Sequence, residues 1–345
     1  MILTIVAAIF VFGLLVLVHE LGHFVTAKFT GMRVDEFAIG FGPKIFSRKS
    51  GETEYSIRAV PLGGFNDIAG MDPSTNTAGS RGYCERPIKS RMLVILAGSA
   101  MNLLLPLILF FGIFFFDGVA MPSDEPILGT VLEGKAADLA GLKDGDRILS
   151  VDGEKIESWT AFVDRVKNVG EGTQLSIEFE RDGQISTAIV EPTYDSQAKK
   201  SLVGVMSSVT TTHPGFVESA QMAIEKEVAV FKMMVTGIAD LFRRHDSSEL
   251  AGPIGIVQMT GQFAQAGFVP LLNFAAFLSM NLGILNLFPI PALDGGHFVV
   301  LLIEAVRGKP MGEQALINIQ KVGIALILLL MIIATKNDIV RVIWG

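Results

Sequence analysis

MILTIVAAIFVFGLLVLVHELGHFVTA, residues 1–27, is the stretch that decides the fold. The eighteen residues before His19 are apolar except for Thr4. At about 1.5 Å per helical residue, they reach across most of a bilayer. His19, Glu20 and His23 follow without a break. Ionisable groups at that depth cost about 3 kcal/mol each, so they are usually there for function. The stretch predicts a first transmembrane helix that carries a functional site.

The two histidines are four residues apart, which places them on one face of a helix and close enough to share a metal ion. Glu20 lies beside them and can act on a water molecule held by that metal. The pattern is the HExxH zinc-peptidase motif. A secretory signal peptide is one alternative, but a basic leading region and a small-residue cleavage site are both missing. A chance match is the other, and the cost of a useless cluster in the bilayer argues against it.

The composition indicates a membrane protein with a modest soluble part. Of 345 residues, 50% are hydrophobic and 18% are charged, against about 25% charged in soluble domains. The net charge of −7 gives no reason to expect nucleic-acid binding. Cys84 is the only cysteine, which excludes an intrachain disulfide and a cysteine-based zinc site. Any metal must therefore be bound by His, Asp or Glu.

Three further apolar segments predict transmembrane spans at Met92–Phe116, about Val269–Phe288 and roughly Ile317–Ala334. Between the first two spans lie ten lysines and arginines, and the residues before His19 include none. This excess places the loop in the cytoplasm and both chain ends outside. In the second span, Asn102 is an intramembrane polar group that needs a partner.

Residues 33–65 follow the first span and predict a hairpin. Its strands are Lys44 to Arg48 and Glu54 to Val60, joined by a turn at Ser50-Gly51. An ordinary surface hairpin is one interpretation. The other is a surface at which a second chain approaches the backbone closely, because four glycines leave it bare: Gly40, Gly42, Gly63 and Gly64.

Residues 122–195 predict a small soluble α+β domain, with a strand at 127–132, a helix at 160–167 and a hairpin around Asp182-Gly183. The stretch AGLKDGDRI, which ends at Ile148, resembles bacterial PDZ domains. Such domains bind peptides by strand addition, or serve as spacers with an empty groove. The expected groove residues are Ile127, Leu128, Gly129 and Thr130.

A zinc site needs a third protein ligand besides two histidines. The segment NLGILNLFPIPALDGGH, residues 281–297, ends the third span. Pro289 and Pro291 break the helix and leave extended backbone at membrane depth, which is tolerated only where it is buried in protein or lines a cavity. Asp294 follows directly and is the candidate ligand. Read alone, Asp294-Gly295 is equally an ordinary turn.

The chain resembles the site-2 protease family of intramembrane zinc metallopeptidases, because it contains the family's motifs in the same order along the sequence. These are HELGH, GFGP, PLGGF, the PDZ-like segment and NLFPIPALDGGH. The chain resembles the bacterial RseP-type members most, over nearly its whole length. The resemblance implies that His19, His23 and Asp294 bind zinc and that Glu20 is the general base. It implies substrate contacts at Asn281, Asn286 and the Pro289–Pro291 segment, and it identifies the 33–65 hairpin with the family's re-entrant β-element.

The substrate span must unwind before it can be cut, and strand pairing along the hairpin would satisfy its freed backbone groups. The hairpin residues expected to contribute are Gly42, Ile57, Gly63 and Gly64. Two features depart from the family pattern. The usual GPxxN is Gly98-Ser99-Ala100-Met101-Asn102 here, and there is one PDZ domain where enterobacterial members have two.

The expected fold is a multi-pass α-helical membrane protein with about four transmembrane helices, a re-entrant β-hairpin and one inserted extracytoplasmic PDZ domain. Residues 1–121 form the first half of the membrane core, 122–195 the PDZ domain, 196–250 a linker with an amphipathic helix at Phe216–Arg244, and 251–345 the second half of the core.

The expected function is zinc-dependent hydrolysis of peptide bonds in or near the transmembrane segments of single-span proteins, with one Zn²⁺ per chain, in the bacterial inner membrane. The substrates would already be cut on their outer side, as anti-sigma factors and remnant signal peptides are, and peptide C-termini are further partners at the PDZ domain. A non-catalytic PDZ scaffold is the main alternative. A transporter is the other, weakened by the lack of an internal repeat.

Overall fold

The computed structural model describes residues 1–71, 79–170, 172–195, 200–244 and 252–344. The chain forms two compact units, one of Met1–Phe115 with Phe216–Gly345 and one of Phe116–Gly215. In the described part of the first unit, four helices are long and apolar enough to cross a membrane. The predicted fold class, a membrane core of four spans with an inserted α+β unit, is confirmed.

In chain order the helices are α1 (Ile2–Phe29), α2 (Ile88–Gly112), α3 (Ala136–Leu139), α4 (Trp159–Lys167), α5 (Phe216–Arg244), α6 (Pro253–Ala266), α7 (Phe268–Asn286), α8 (Asp294–Arg307) and α9 (Glu313–Trp344). The strands are β1 (Val34–Ser50), β2 (Thr53–Ile68), β3 (Val119–Pro122), β4 (Leu128–Val131), β5 (Arg147–Val151), β6 (Glu154–Lys155), β7 (Leu175–Arg181), β8 (Gln184–Val190), β9 (Thr193–Asp195), β10 (Lys200–Leu202), β11 (Val205–Ser207) and β12 (Val209–Thr212).

The centre of the membrane unit is α1, which packs against α2, α6 and α7. One apolar cluster joins the buried side chains of Val11 and Leu15 to Leu271 and Phe274 of α7. At Gly22, an added Cβ atom would lie 2.4 Å from the carbonyl oxygen of Ala97 in α2. Since a side chain there would force the two helices apart, the glycine permits the contact that brings the HExxH turn onto α2.

A short helix that the sequence pattern does not indicate precedes the third span. This helix, α6, has Pro253 at its start, where the fixed φ of proline suits a helix. The backbone N–H groups of Gly252 and Gly255 donate to the two carboxylate oxygens of Asp338 in α9, each at 2.9 Å. Asp338 is 1% exposed. These bonds attach the end of α9 to the start of α6.

The β1–β2 element contains four paired segments and is more than a two-stranded hairpin. Segment 34–39 of β1 pairs on one side with 64–68 of β2 and on the other with 54–57. Segment 46–50 of β1 then covers the remaining side of 54–57. Ile57 therefore lies in an inner segment, whereas residues 63–68 at the end of β2 form an outer segment.

The inserted unit carries the elements predicted for a PDZ domain, including the β7–β8 hairpin and α4. Its largest sheet has the order β6-β5-β7-β8. The sequence predicts a linker at residues 196–215, but its described part contains three strands. β10 pairs with β9, β11 with β4 and β12 with β3. Ser201 and Val203 are 1% and 4% exposed, so this segment completes the core of the unit.

Candidate active site

His19, His23 and Asp294 come together although their sequence positions are distant, and their candidate ligand atoms all lie within 4.8 Å of one another. The two Nε2 atoms are 3.2 Å apart, and Asp294 Oδ2 lies 3.5 and 3.6 Å from them. Three ligands of a tetrahedral zinc ion with bonds of about 2.0 to 2.2 Å are separated by about 3.3 to 3.6 Å. The donor set and its spacing therefore fit zinc.

Each histidine is held by a contact at its other ring nitrogen. His23 Nδ1 lies 2.8 Å from the carbonyl oxygen of Val94, so it carries the proton and leaves Nε2 free to bind a metal. His19 Nδ1 lies 3.2 Å from the side-chain amide of Asn102, whose oxygen is buried without a partner. With that amide turned by 180°, its oxygen accepts from His19 Nδ1–H, which frees the Nε2 of His19 as well.

Asp294 is the first residue of α8 and follows the irregular segment 287–293. The hydroxyl group of Ser99 donates to its Oδ2 atom at 3.1 Å. Under the histidines lies Gly98, where an added Cβ atom would be 2.3 Å from His23 Nε2. Residues 97–102 of α2 (AGSAMN) therefore lie directly against the two histidines. They also supply two side chains, Ser99 and Asn102, that contact the candidate ligands.

Glu20 accepts hydrogen bonds from the outer segment of the β1–β2 sheet. The side-chain amide nitrogen of Asn66 donates to Glu20 Oε2 at 2.7 Å and to the Glu20 backbone oxygen at 2.8 Å. Two residues earlier, a Cβ atom on Gly64 would lie 3.1 Å from Glu20 Cγ. The sequence does not indicate a contact for either Asn66 or Ser99. Asn66 lies in no recognisable motif, and Ser99 lies where the chain departs from the family's GPxxN pattern, so only the fold shows what these two side chains touch.

Of the substrate residues predicted in the hairpin, some lie in the outer segment and the others do not. Gly63 and Gly64 begin the outer segment, and Gly64 lies against Glu20. Ile57 is opposite both Ile39 and Phe46, so its backbone is not an available edge and the expected pairing with substrate there is corrected. Gly42, with a φ of +83°, lies at the bend between the two halves of β1.

The segment after α7 has an unusual backbone. Ala292 has a φ of +77°, a left-handed conformation that costs a residue with a Cβ atom about 1 kcal/mol or more. Pro291 lies so close to α9 that a Cβ atom on Gly323 would fall 1.8 Å from its carbonyl oxygen. Asn281 and Asn286 are partly buried, and neither side chain makes a hydrogen bond within the described residues. Pro289 lies in the same irregular segment.

A cavity of about 610 Å³ adjoins this segment. The outer strand contributes Asn66 and Ile68 to its wall, the irregular segment contributes Pro291, and α8 and α9 contribute His297 and Gln320. The volume is that of a ligand site. The cavity connects Asn66, the partner of Glu20, with Pro291, which precedes the candidate metal ligand Asp294.

In the inserted unit the predicted peptide groove at Ile127, Leu128, Gly129 and Thr130 is not available. Along one side, β4 pairs with β11, Thr130 lying opposite Met206. On its other side, Leu128 donates to the Asp146 carbonyl at 2.8 Å and accepts from Gly145 N–H at 2.7 Å. The sequence indicates the strand correctly but does not reveal which neighbours cover its edges.

Comparisons with known proteins agree with this site. The model of peptidase family M50 matches residues 7–330, and the chain belongs to this family. The site and the family together define an intramembrane zinc metalloprotease of the site-2 type, and not a non-catalytic scaffold.

Particular relatives match along their whole length. The chain is 34% identical to "Regulator of sigma-W protease RasP" of Bacillus subtilis, over 98% of each chain. It is 32% identical to "Zinc metalloprotease RasP" of Geobacillus kaustophilus, over 97% of each. Among solved structures, it is similar to the PDZ domain of the SdrC-like protein of Listeria monocytogenes, with 22% identity and a TM-score of 0.22, over 25% of this chain and 90% of that one.

Proposed function

We propose that His19, His23 and Asp294 bind one zinc ion per chain and that Glu20 is the general base for cleavage of peptide bonds within transmembrane segments. The observation that carries this proposal is the triangle of three ligand atoms, with separations of 3.2, 3.5 and 3.6 Å. Bound there, zinc would activate a water molecule and polarise the carbonyl group under attack.

The side chains around the metal have separate tasks in this proposal. Glu20 accepts a proton from the attacking water and transfers it to the departing amine. Val94 and Asn102 keep the Nδ1 protons of the histidines in place, which orients both rings. Ser99 orients the Asp294 carboxylate through its hydroxyl group.

The substrate binds as an added strand along Gly63–Ile68, the outer segment of the β1–β2 sheet. A transmembrane helix that has unwound exposes N–H and C=O groups, each costing a few kcal/mol in an apolar setting. Pairing with the outer segment satisfies the hydrogen bonds of these groups and does not depend on the side chains of the substrate. Asn286, Pro289 and Pro291 would contact the other side of the extended segment, and the adjoining cavity would accept its continuation. Gly63 and Gly64 let this segment lie close to the Phe41 ring and to the side chain of Glu20.

The substrates would be single-span membrane proteins already shortened on their outer side, such as anti-sigma factors or remnant signal peptides. The name of the Bacillus subtilis relative, a regulator of sigma-W protease, supports the first kind. The basic loop between α1 and α2 supports a cytoplasmic position for the site, with the PDZ domain and both ends of the chain outside and the protein in the bacterial inner membrane.

For the inserted unit, we propose that peptide C-termini bind along β11 and not along β4. Within the described residues, β11 pairs with β4 alone, which leaves its other side for strand addition. The unit would limit the size of substrates that reach the membrane site and take no part in the chemistry.

The experiment uses full-length protein in vesicles with a single-span substrate. We expect the wild-type chain to contain zinc and cut the span. Glu20→Gln should keep its zinc and lose about 10²- to 10⁴-fold in rate, because it removes the proton acceptor. Glu225→Gln on the exposed side of α5 is the matched control and should cut normally.

A second arm tests unwinding. A substrate with glycine near the cut should react faster than one stiffened by leucines. Equal rates for the two substrates would show that unwinding does not limit cleavage. Normal cleavage by Glu20→Gln would refute the proposed mechanism.

A further inference from the structure

We propose that Asn66 is a positioning residue for Glu20, and that through it the strand that receives the substrate also fixes the general base. The proposal rests on the function proposed above for Glu20 and for the outer strand. It adds a residue outside the HExxH motif and outside the segment that carries Asp294.

One amide nitrogen makes both bonds to Glu20. Asn66 Nδ2 lies 2.7 Å from the carboxylate oxygen Oε2 and 2.8 Å from the backbone oxygen of the same residue. An amide NH₂ group has two hydrogens, and this pair of bonds uses both. A flexible glutamate side chain is thereby held at both ends. Oε2 has a fixed donor, while Oε1 remains free to accept a proton from water.

The local packing restricts Glu20 from a second direction. Gly64 is in the same outer segment, and an added Cβ atom would lie 3.1 Å from both Glu20 Cγ and Val16 Cγ1. The strand backbone therefore lies directly against the stem of the glutamate. Asn66 holds the head of that side chain, and Gly64 leaves only enough room for its stem.

In this arrangement the outer segment both pairs with the substrate and positions Glu20. A substrate paired along Gly63–Ile68 has its backbone fixed relative to Asn66, because strand pairing sets the position of each residue. Asn66 in turn fixes Glu20. The distance between the carbonyl group to be cut and the base is then set by a single strand. Loss of the amide should therefore affect the rate of the bound complex more than substrate binding.

Asn66→Leu is the decisive variant, because leucine has the same branched shape without a donor. We expect kcat to fall about 10- to 100-fold, the range seen when a group that orients a site residue is lost. KM should stay within about twofold, since the backbone of the strand is unchanged. Asn66→Gln keeps the donor on a longer stem and should recover at least part of kcat.

Zinc content and thermal stability are measured on every variant. Asn66→Ser, whose hydroxyl group is too short to reach the Glu20 carboxylate, provides a second variant that lacks this hydrogen bond, for use if leucine impairs folding. Asn273→Leu is the matched control: this asparagine of α7 bonds to the carbonyl of Val269 in its own helix. It should keep wild-type kcat and KM.

A second readout does not depend on turnover. In metal-free protein, the effects of Asn66→Leu and Glu20→Leu on Tm should be non-additive, because both substitutions remove the same hydrogen bond between the two side chains.

Three outcomes would overturn the proposal. They are a normal kcat in a zinc-loaded donor-free variant, a rise in KM at unchanged kcat, and an Asn66→Gln variant no better than Asn66→Leu. Cleavage by the wild-type chain together with an inactive Glu20→Gln variant would show that the proposed function stands even if Asn66 fails. A wild-type chain that cuts no substrate would instead remove the proposed function itself.

Discussion

The metal side of the membrane unit differs from its substrate side in how it is built. On the metal side, His19, His23 and Asp294 lie in helices, and each has a further contact from α2. On the substrate side lie a sheet segment with an outer edge, an irregular loop with Ala292 at positive φ, and a cavity. Helices therefore carry the candidate metal ligands, while irregular backbone and a sheet edge lie where we propose that a substrate of variable sequence binds.

The largest effect should come from breaking the metal side. Asp294→Ala removes one of three protein ligands, so we expect zinc to be lost on dialysis and cleavage to fall below detection. The loss should exceed the about 10- to 100-fold expected for residues that only orient a ligand. Zinc content is measured by atomic spectroscopy in Asp294→Ala and in Ser99→Ala. The first variant should lose more zinc than the second. Retained zinc in Asp294→Ala would mean that another residue supplies the third ligand.

The next effect tests how closely α2 approaches the metal. Gly98→Ala would place a methyl group 2.3 Å from His23 Nε2, so the ring must move. We expect zinc affinity to fall about 10- to 100-fold. Gly112→Ala is the matched control, because it lies at the end of the same helix with nothing within 4 Å of its added Cβ atom. Equal zinc affinities in the two variants would show that the contact is tolerated.

On the substrate side, Ala292→Gly should separate stability from activity. Glycine adopts a φ of +77° without strain. Relief of that strain, offset by the greater freedom of glycine in the unfolded chain, should change stability by no more than about 1 kcal/mol. A looser segment next to Asp294 should still lower kcat several-fold. Thermal unfolding and cleavage rates on the same samples check both parts, and unchanged cleavage would show that the loop need not be rigid.

The smallest effect concerns an ion pair away from the site. Arg81 and Lys28 hold the pKa of Glu52 at about 2, below its ordinary value of 4.5. A lowered folded-state pKa means that the bonds stabilise the protein above about pH 4.5 and are lost as the pH falls toward 2. Because the Glu52 side chain is still partly exposed to solvent, Glu52→Gln should cost at most about 1 kcal/mol at neutral pH. Unfolding curves at pH 7 and pH 3 should therefore differ less in the variant than in the wild-type chain.

That His19, His23 and Asp294 lie close together can be predicted from the sequence, because the information is local. Helical spacing places His19 and His23 on one face, and the position of Asp294 after a broken span indicates the third ligand. The spans are also predictable, since apolar length alone identifies them.

The substrate side depends on pairing partners that the sequence does not specify. Ile57 and Leu128 were both expected to offer free strand edges, and in both cases neighbouring chain covers them. Periodicity identifies a strand but not its neighbours. Asn66 was missed for the same reason, because its importance arises only when the outer segment meets α1.

Because α9 is attached at two positions, we expect cleavage to depend on the lipid environment. Gly323 lies against Pro291, and Asp338 holds the start of α6. These positions are fifteen residues apart, or about 22 Å of helix, a large part of the roughly 30 Å hydrocarbon thickness. A thinner or thicker bilayer would favour a different tilt of α9, and the two attached segments would have to move with it. The tilt acts on the backbone before Asp294, so acyl-chain length is expected to influence how fast a bound span is cut.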